Sequence, residues 1–252
     1  MEGLGKTFPG PKGGRPVQAL REVSFTVAAG EYVCLLGRSG CGKSTLLAIV
    51  AGLLAPDEGR CYCGDERITG PDRHRMLMFQ EPALFPWLNV LDNVLFGLSF
   101  VDNLTPGEKR NRAEHFLELV GLADCLNFRI HELSGGMKQR VALARALAPD
   151  PDILLMDEPF SALDAMTREQ LYEDLQKIWQ QTHKTVLMVT HNVREAVCLG
   201  TRVLALERPG RIVADHAVTL PYPRGMNDVA LAETAAHISG FLRQSEENGG
   251  QA

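Results

Sequence analysis

Five short apolar runs punctuate the chain: "YVCLL" at 32–36, "MLMFQ" at 76–80, "DILLMD" at 152–157, "TVLMVT" at 185–190 and "RVLALE" at 202–207. None alternates strictly between apolar and polar; the first four predict buried core strands, the habit of a parallel sheet, and the last is strand-like. Between them the period changes. "KRNRAEHFLELVGL" (109–122) is amphipathic at a spacing near 3.6, and "MTREQLYEDLQKIWQQ" (166–181) reads as a second helix. "LLAIVAGLL" (46–54) has no breaker before Gly52 and predicts a helix running to about Leu54. The first 30 residues read as strand, turn and strand around "PGPKGGRP" (9–16), and a short strand is expected near Cys61–Cys63. From Pro82 to about Asp150 the pattern is helical; "RIVADHAVTL" (211–220) is strand-like and the tail polar and helical.

Strands alternating with helices predict an α/β protein with a mostly parallel sheet, an antiparallel β subdomain and an inserted helical subdomain. The whole chain is expected to be one domain. Residues 1–81 and 151–222 supply its core, 82–150 the helical subdomain and 223–252 a helical tail.

Two of these segments end in chemistry. "GRSGCGKST" follows the first core strand and opens the first helix, giving G-x-x-x-x-G-K-S with Gly37, Gly42, Lys43 and Ser44. Glycines let backbone N–H groups converge on phosphate oxygens, and the helix N-terminus adds a favourable dipole. Lys43 is expected to reach the β- and γ-phosphates and Ser44 to ligate Mg2+. "ILLMDEP" ends a strand in two carboxylates: Asp157 suits the Mg2+ shell, and Glu158 suits polarising an attacking water. Alone, the first could be a glycine-rich turn and the second two solvated acids. Together they predict a site that hydrolyses a nucleoside triphosphate.

The balance of charge is -5 with a pI near 5.8, which argues against a non-specific nucleic-acid binder. Nothing approaches the roughly 20 consecutive apolar residues of a membrane span, and "MEGLGKTFPG" lacks the blocks of a signal peptide. Six cysteines show no disulfide framework. Cys61 and Cys63 would share a face of a strand, yet no His or second pair matches them as a metal site. Cys41, inside the phosphate loop, is expected to be open to alkylation or oxidation.

A second anion site stands roughly ninety residues after Lys43. In "LSGGMKQRVALARAL" Ser134 caps a helix, and Gly135 and Gly136 expose its first N–H groups. Here the sequence resembles the ATP-binding subunit of an ABC transporter over roughly Leu4 to Ile212. "GRSGCGKST", Gly37, Arg38, Ser39, Gly40, Cys41, Gly42, Lys43, Ser44 and Thr45, resembles the family's Walker A loop. "ILLMDE" resembles its Walker B strand and "LSGGMKQ" its signature. "SALD", ending at Asp164, resembles the D-loop; Gln80 in "MLMFQEP" the Q-loop glutamine; and His191 in "VTHNVREA" the switch histidine. Phe8 falls where relatives place an aromatic against adenine.

The resemblance implies a P-loop NTPase core, ATP and Mg2+, and a head-to-tail dimer. ATP would lie between the Walker A loop of one subunit and Ser134, Gly135, Gly136 and Gln139 of its partner. Gln80 would contact Mg2+ or the attacking water, joining Ser44 and Asp157 as a metal ligand. His191 would hold the γ-phosphate, and Asp164 would act across the dimer. Leu84, Phe85, Pro86 and Trp87 would meet a helix of a membrane subunit, unless they pack inside the helical subdomain. "FPWLNVLDNV" and "RPGRI" (208–212) resemble the nitrate, sulfonate, taurine and bicarbonate importer branch. The implied partners are a second copy, integral membrane permease subunits and, through them, a periplasmic or lipid-anchored solute-binding protein. No nucleic acid is implied, and the place is the cytoplasmic face of the cell membrane. A non-transport cassette acting on DNA or ribosomes, or an exporter ATPase, are the competing functions. The missing coiled coil, the single cassette and the acidic balance count against the first, and the segment around Trp87 against the second.

Overall fold

The structure is a computed structural model and describes residues 1–10 and 14–249. It begins with β1 (Glu2–Phe8), β2 (Val17–Val23), β3 (Tyr32–Leu36) and α1 (Lys43–Val50), then three short strands, β4 (Glu58–Arg60), β5 (Tyr62–Cys63) and β6 (Glu66–Arg67). Next come β7 (Arg75–Met78), α2 (Val90–Leu98), α3 (Pro106–Leu119), α4 (Gly135–Leu147), β8 (Ile153–Asp157) and α5 (Ala165–Thr182). The chain closes with β9 (Thr185–Thr190), α6 (Val193–Leu199), β10 (Arg202–Glu207), β11 (Arg211–Ala217) and α7 (Val229–Gly249). Packing divides these elements into two units, one of Met1–Asp72 with the described residues from Thr185 onward, the other of Arg73–Lys184.

In the first unit β3 lies between β9 and β10 and is parallel to both, while β11 pairs antiparallel with β10. All five residues of β3 are buried. A strand with neighbours on both edges and helices packed near it has no wet face, which is why "YVCLL" carries no polar residue. Burying each Leu there contributes about 1.5–3 kcal/mol. A separate antiparallel sheet has β1 between β2 and β4. The turn predicted at 9–16 falls partly outside the described residues, as do the last three residues of the tail.

The second unit is built on α4, whose Val141, Ala142, Leu143, Ala144, Ala146 and Leu147 are buried. α2, α3 and β7 pack against it, and β7 pairs in parallel with β8. Capping sets where its helices begin. Thr105 and Glu108 form a reciprocal capping box at α3, with Pro106 in its first turn.

Three expectations are corrected. α1 stops at Val50, not near Leu54, because Gly52 turns the backbone to φ 77 and the amides of Leu53 and Leu54 fold back onto Ala48 O. β7 is buried only at Met78, its first three residues being half-exposed. Cys61 lies before β5 rather than in it; it is buried while Cys63 is half-buried. Among the described residues no three metal-ligating side chains converge.

Candidate active site

The phosphate loop belongs wholly to the first unit. Gly42 holds φ 99 as the N-cap of α1, a conformation that costs an L side chain strain, and a Cβ there would collide with Ala19 O. Lys43 is 5% exposed and folded back along the loop, with Nζ donating to Gly37 O at 2.6 Å and Arg38 O at 3.0 Å. Arg208, between β10 and β11, takes the next two carbonyls, Nε donating to Gly40 O at 3.0 Å and Nη2 to Ser39 O at 3.1 Å. Arg38, Ser39, Gly40 and Ser44 are exposed, Gly37 and Thr45 half-buried. Cys41 corrects the expected reactivity: it is 2% exposed, and burial pushes its thiol above the ordinary range.

His191 also lies in the first unit, exposed at the end of β9. Its peptide is held from both sides. Asn192 N donates to Thr190 Oγ1 at 3.0 Å, and the Thr190 hydroxyl donates to the carboxylate of buried Glu195. Asn192 Oδ1 caps α6, accepting from Arg194 N at 3.0 Å. At the other end of α6 the 3% exposed Arg224 gives Nη1 to Val197 O and Gly200 O, each at 2.7 Å, beneath the Tyr222 ring at 3.9 Å. Glu195 and Arg224 carry no local sequence signal, because the carbonyls and hydroxyl they serve are set by the fold.

The second unit carries the carboxylates. Asp157 ends β8, and Glu158 follows at φ 42, a strained setting for a residue without glycine's freedom. Ser161 Oγ donates to Glu158 O at 3.0 Å and accepts from Gln80 Nε2 at 3.1 Å. Gln80 is thus tied to the acidic strand end through Ser161, a link no local spacing discloses.

Ser134 caps α4, its Oγ accepting from Met137 N at 3.3 Å, and Ser134 and Gly135 are exposed while Gly136 is buried. Gln139 does not join this surface as expected. One turn on, it is 2% exposed and gives Nε2 to Pro159 O. Asp164 caps α5, accepting from Thr167 N at 3.0 Å, and that backbone bond holds its carboxyl below the usual range.

Phe8 ends β1, 37% exposed with Lys6 Nζ 5.8 Å from its ring centre. The 84–87 segment divides. Its backbone is clamped: the fully buried Asn93 accepts from Phe85 N at 2.9 Å and donates to Phe85 O, while Arg145 donates to Pro82 O and Ala83 O. Trp87 is 69% exposed and Pro86 exposed, while Leu84 and Phe85 are half-buried. Phe85 also stacks against Phe96, with ring centres 4.5 Å apart.

A buried parallel strand, a loop with its carbonyls gathered by two cations and a helix opening directly from it define a phosphate-binding α/β protein. The family model described as ABC transporter matches residues 20–161. The taurine import ATP-binding protein TauB of Roseobacter denitrificans is 47% identical over 98% of this chain and 91% of its own length. The nitrate import ATP-binding protein NrtD of Synechococcus elongatus is 42% identical over 91% of this chain and 84% of its own. Among solved structures, a dimeric bacterial ABC transporter cassette aligns with a TM-score of 0.76 at 32% identity, covering 87% of this chain and 98% of that one. A dimeric cassette in a post-hydrolysis state with ADP and Pi aligns at 0.74 and 33% identity, with the same coverage. The chain belongs to the ABC transporter family, and it is an ATP-binding cassette that hydrolyses ATP.

Proposed function

We propose that this cassette powers an importer for a small anion or sulfonate of the nitrate and taurine kind, working as a head-to-tail dimer. The observation that carries the dimer is the presence of two helix starts suited to phosphate in one chain. α1 opens from the Lys43 loop, and α4 opens at Ser134 with Gly135 exposed beside it. Each would be half of a site completed by the other protomer. The import names of the relatives support the cargo class, and no residue of this chain is assigned to the cargo itself.

In this reading the loop amides and Lys43 bind the triphosphate, with Lys43 leaving Gly37 O and Arg38 O to do so. Ser44, Asp157 and Gln80 offer hydroxyl, carboxylate and amide oxygens, a hard donor set that fits Mg2+. When bound, Mg2+ neutralises phosphate charge and orients the group for in-line attack. Glu158 accepts a proton from the attacking water, His191 holds the γ-phosphate, and Phe8 stacks on adenine. Ser134 and Gly135 meet the partner's nucleotide, and Asp164 acts across the dimer. Leu84, Phe85, Pro86 and Trp87 receive a helix of a permease at the cytoplasmic face of the membrane, and a solute-binding protein delivers cargo to that permease.

The dimer is tested by sedimentation with ATP. Glu158→Gln should accumulate a dimer, while adding Lys43→Ala or Ser134→Arg should return it to monomer. A monomeric Glu158→Gln that turns over ATP at the wild-type rate overturns the assignment.

A further inference from the structure

The "RPGRI" segment (208–212) turns the chain from β10 into β11. Four consecutive carbonyls of the phosphate loop are taken up by two cations, Gly37 O and Arg38 O by Lys43, Ser39 O and Gly40 O by Arg208. We infer that Arg208 is a positioning residue for the phosphate loop, holding the tip in its anion-receiving shape once Lys43 has turned to the nucleotide. The inference rests on the nucleotide-binding role proposed above for Lys43.

The geometry of the peptide gives the reason. In a planar trans peptide the C=O and the following N–H point to opposite sides. Drawing Ser39 O and Gly40 O toward the guanidinium therefore turns the amides of Gly40 and Cys41 away from it, that of Cys41 onto Arg38 O at 3.3 Å. Lys43 cannot do this for the tip, because its own carbonyls lie two residues earlier and are released when it engages phosphate. Arg208 has no such second duty, and its planar fork reaches two carbonyls at once.

Arg208 is itself anchored. Gly210, two residues on, has φ 42, and a Cβ there would collide with Ala19 O. Gly210 O accepts from Arg21 N at 3.2 Å. The same Ala19 O bars a Cβ at Gly42, so the base of the loop and the β10–β11 hairpin rest on one stretch of β2. Leu20 beside it is fully buried, and Arg208 therefore acts from a fixed frame.

The test uses full-length protein with Arg208→Ala and Arg208→Lys. Mant-ADP and mant-ATP binding, steady-state ATPase and thermal midpoint are measured on each. Both variants should weaken ATP and ADP by roughly tenfold, raise KM alike and leave kcat within about twofold, the mark of lost uniform binding. Lysine keeps the charge but not the two-pronged geometry, so it should not rescue. Peptide-resolved maleimide labelling should show Cys41 reacting faster in both variants, because its burial depends on the loop's shape. Full rescue by Arg208→Lys would overturn the inference in favour of charge alone. Unchanged nucleotide affinity in both, with slow Cys41 labelling, would also overturn it, and a lowered thermal midpoint beside unchanged affinity would show a merely structural arginine. Failure of wild type itself to bind nucleotide would overturn the Lys43 assignment and this inference together.

Discussion

Asp150 follows α4 at φ 63 and holds two cations, Lys184 Nζ at 2.6 Å and Arg112 Nη2 at 3.2 Å. The hydrogen bond from Lys184 chiefly pulls its carboxyl below the usual range, with burial opposing. Its side chain is 56% exposed, so solvent screening limits the pair to no more than about 1 kcal/mol. A carboxyl lowered in the folded state contributes fully above its unfolded pKa of about 3.9 and loses that contribution as pH falls through the folded value. Asp150→Asn should therefore be less stable than wild type in urea at neutral pH and converge with it toward the acid end of the titration. A constant gap at all pH values would show that the ion pairs contribute nothing. Single residues such as this were the least legible from sequence. Arg208 and Ser39 stand 169 positions apart, and Gln80 and Ser161 are separated by 81. Nothing in the composition of either partner specifies the meeting; the folded backbone does.

Elements were far more legible, because the signals that make them are local. The capped start of α4, the apolar strands and the glycine-rich loop all follow from residues within a turn or two. The misreadings came where packing overrode pattern. "MLMFQ" is apolar enough for a buried strand, yet only Met78 is covered, and Gln139 faces inward although it sits in the signature motif. Caps also separate stability from function. Thr105 accepts from Glu108 N and Ser134 from Met137 N, both at 3.3 Å. Thr105→Ala and Ser134→Ala should each cost about 1 kcal/mol in chemical denaturation. Only Ser134→Ala should also depress ATPase activity, since α3 has no assigned role toward nucleotide. Equal activity loss in both would reduce the signature serine to a cap.

Across the whole molecule, the motifs of the site could be read in order along the chain, but their distribution over two packing units could not. The Walker A loop and His191 fall in the first unit, while Gln80, Ser134, the carboxylates and Asp164 fall in the second. No helix among the described residues is long and apolar enough to cross a membrane. Trp87 is the outstanding candidate for meeting the proposed permease, since a solvent-exposed indole on a clamped backbone is costly without a cover. Tagged wild type purified from its native host in mild detergent should carry a polytopic membrane protein. Trp87→Asp should lose that protein while binding ATP normally. Retention by the variant would remove Trp87 from the docking surface, while ribosomal partners with the wild type would overturn the transport assignment and leave the ATPase chemistry standing.

The bond from Gln139 to Pro159 O has a bearing on the dimer. It joins the helix that begins at Ser134 to the turn just after Glu158, inside one packing unit. In the dimer proposed above, Glu158 serves its own protomer's ATP and Ser134 serves the neighbour's. Relaxation of the strand end after one cleavage would then be passed through a single buried amide to the helix facing the other nucleotide. The two nucleotide sites of that dimer would then be linked through one buried contact in each protomer.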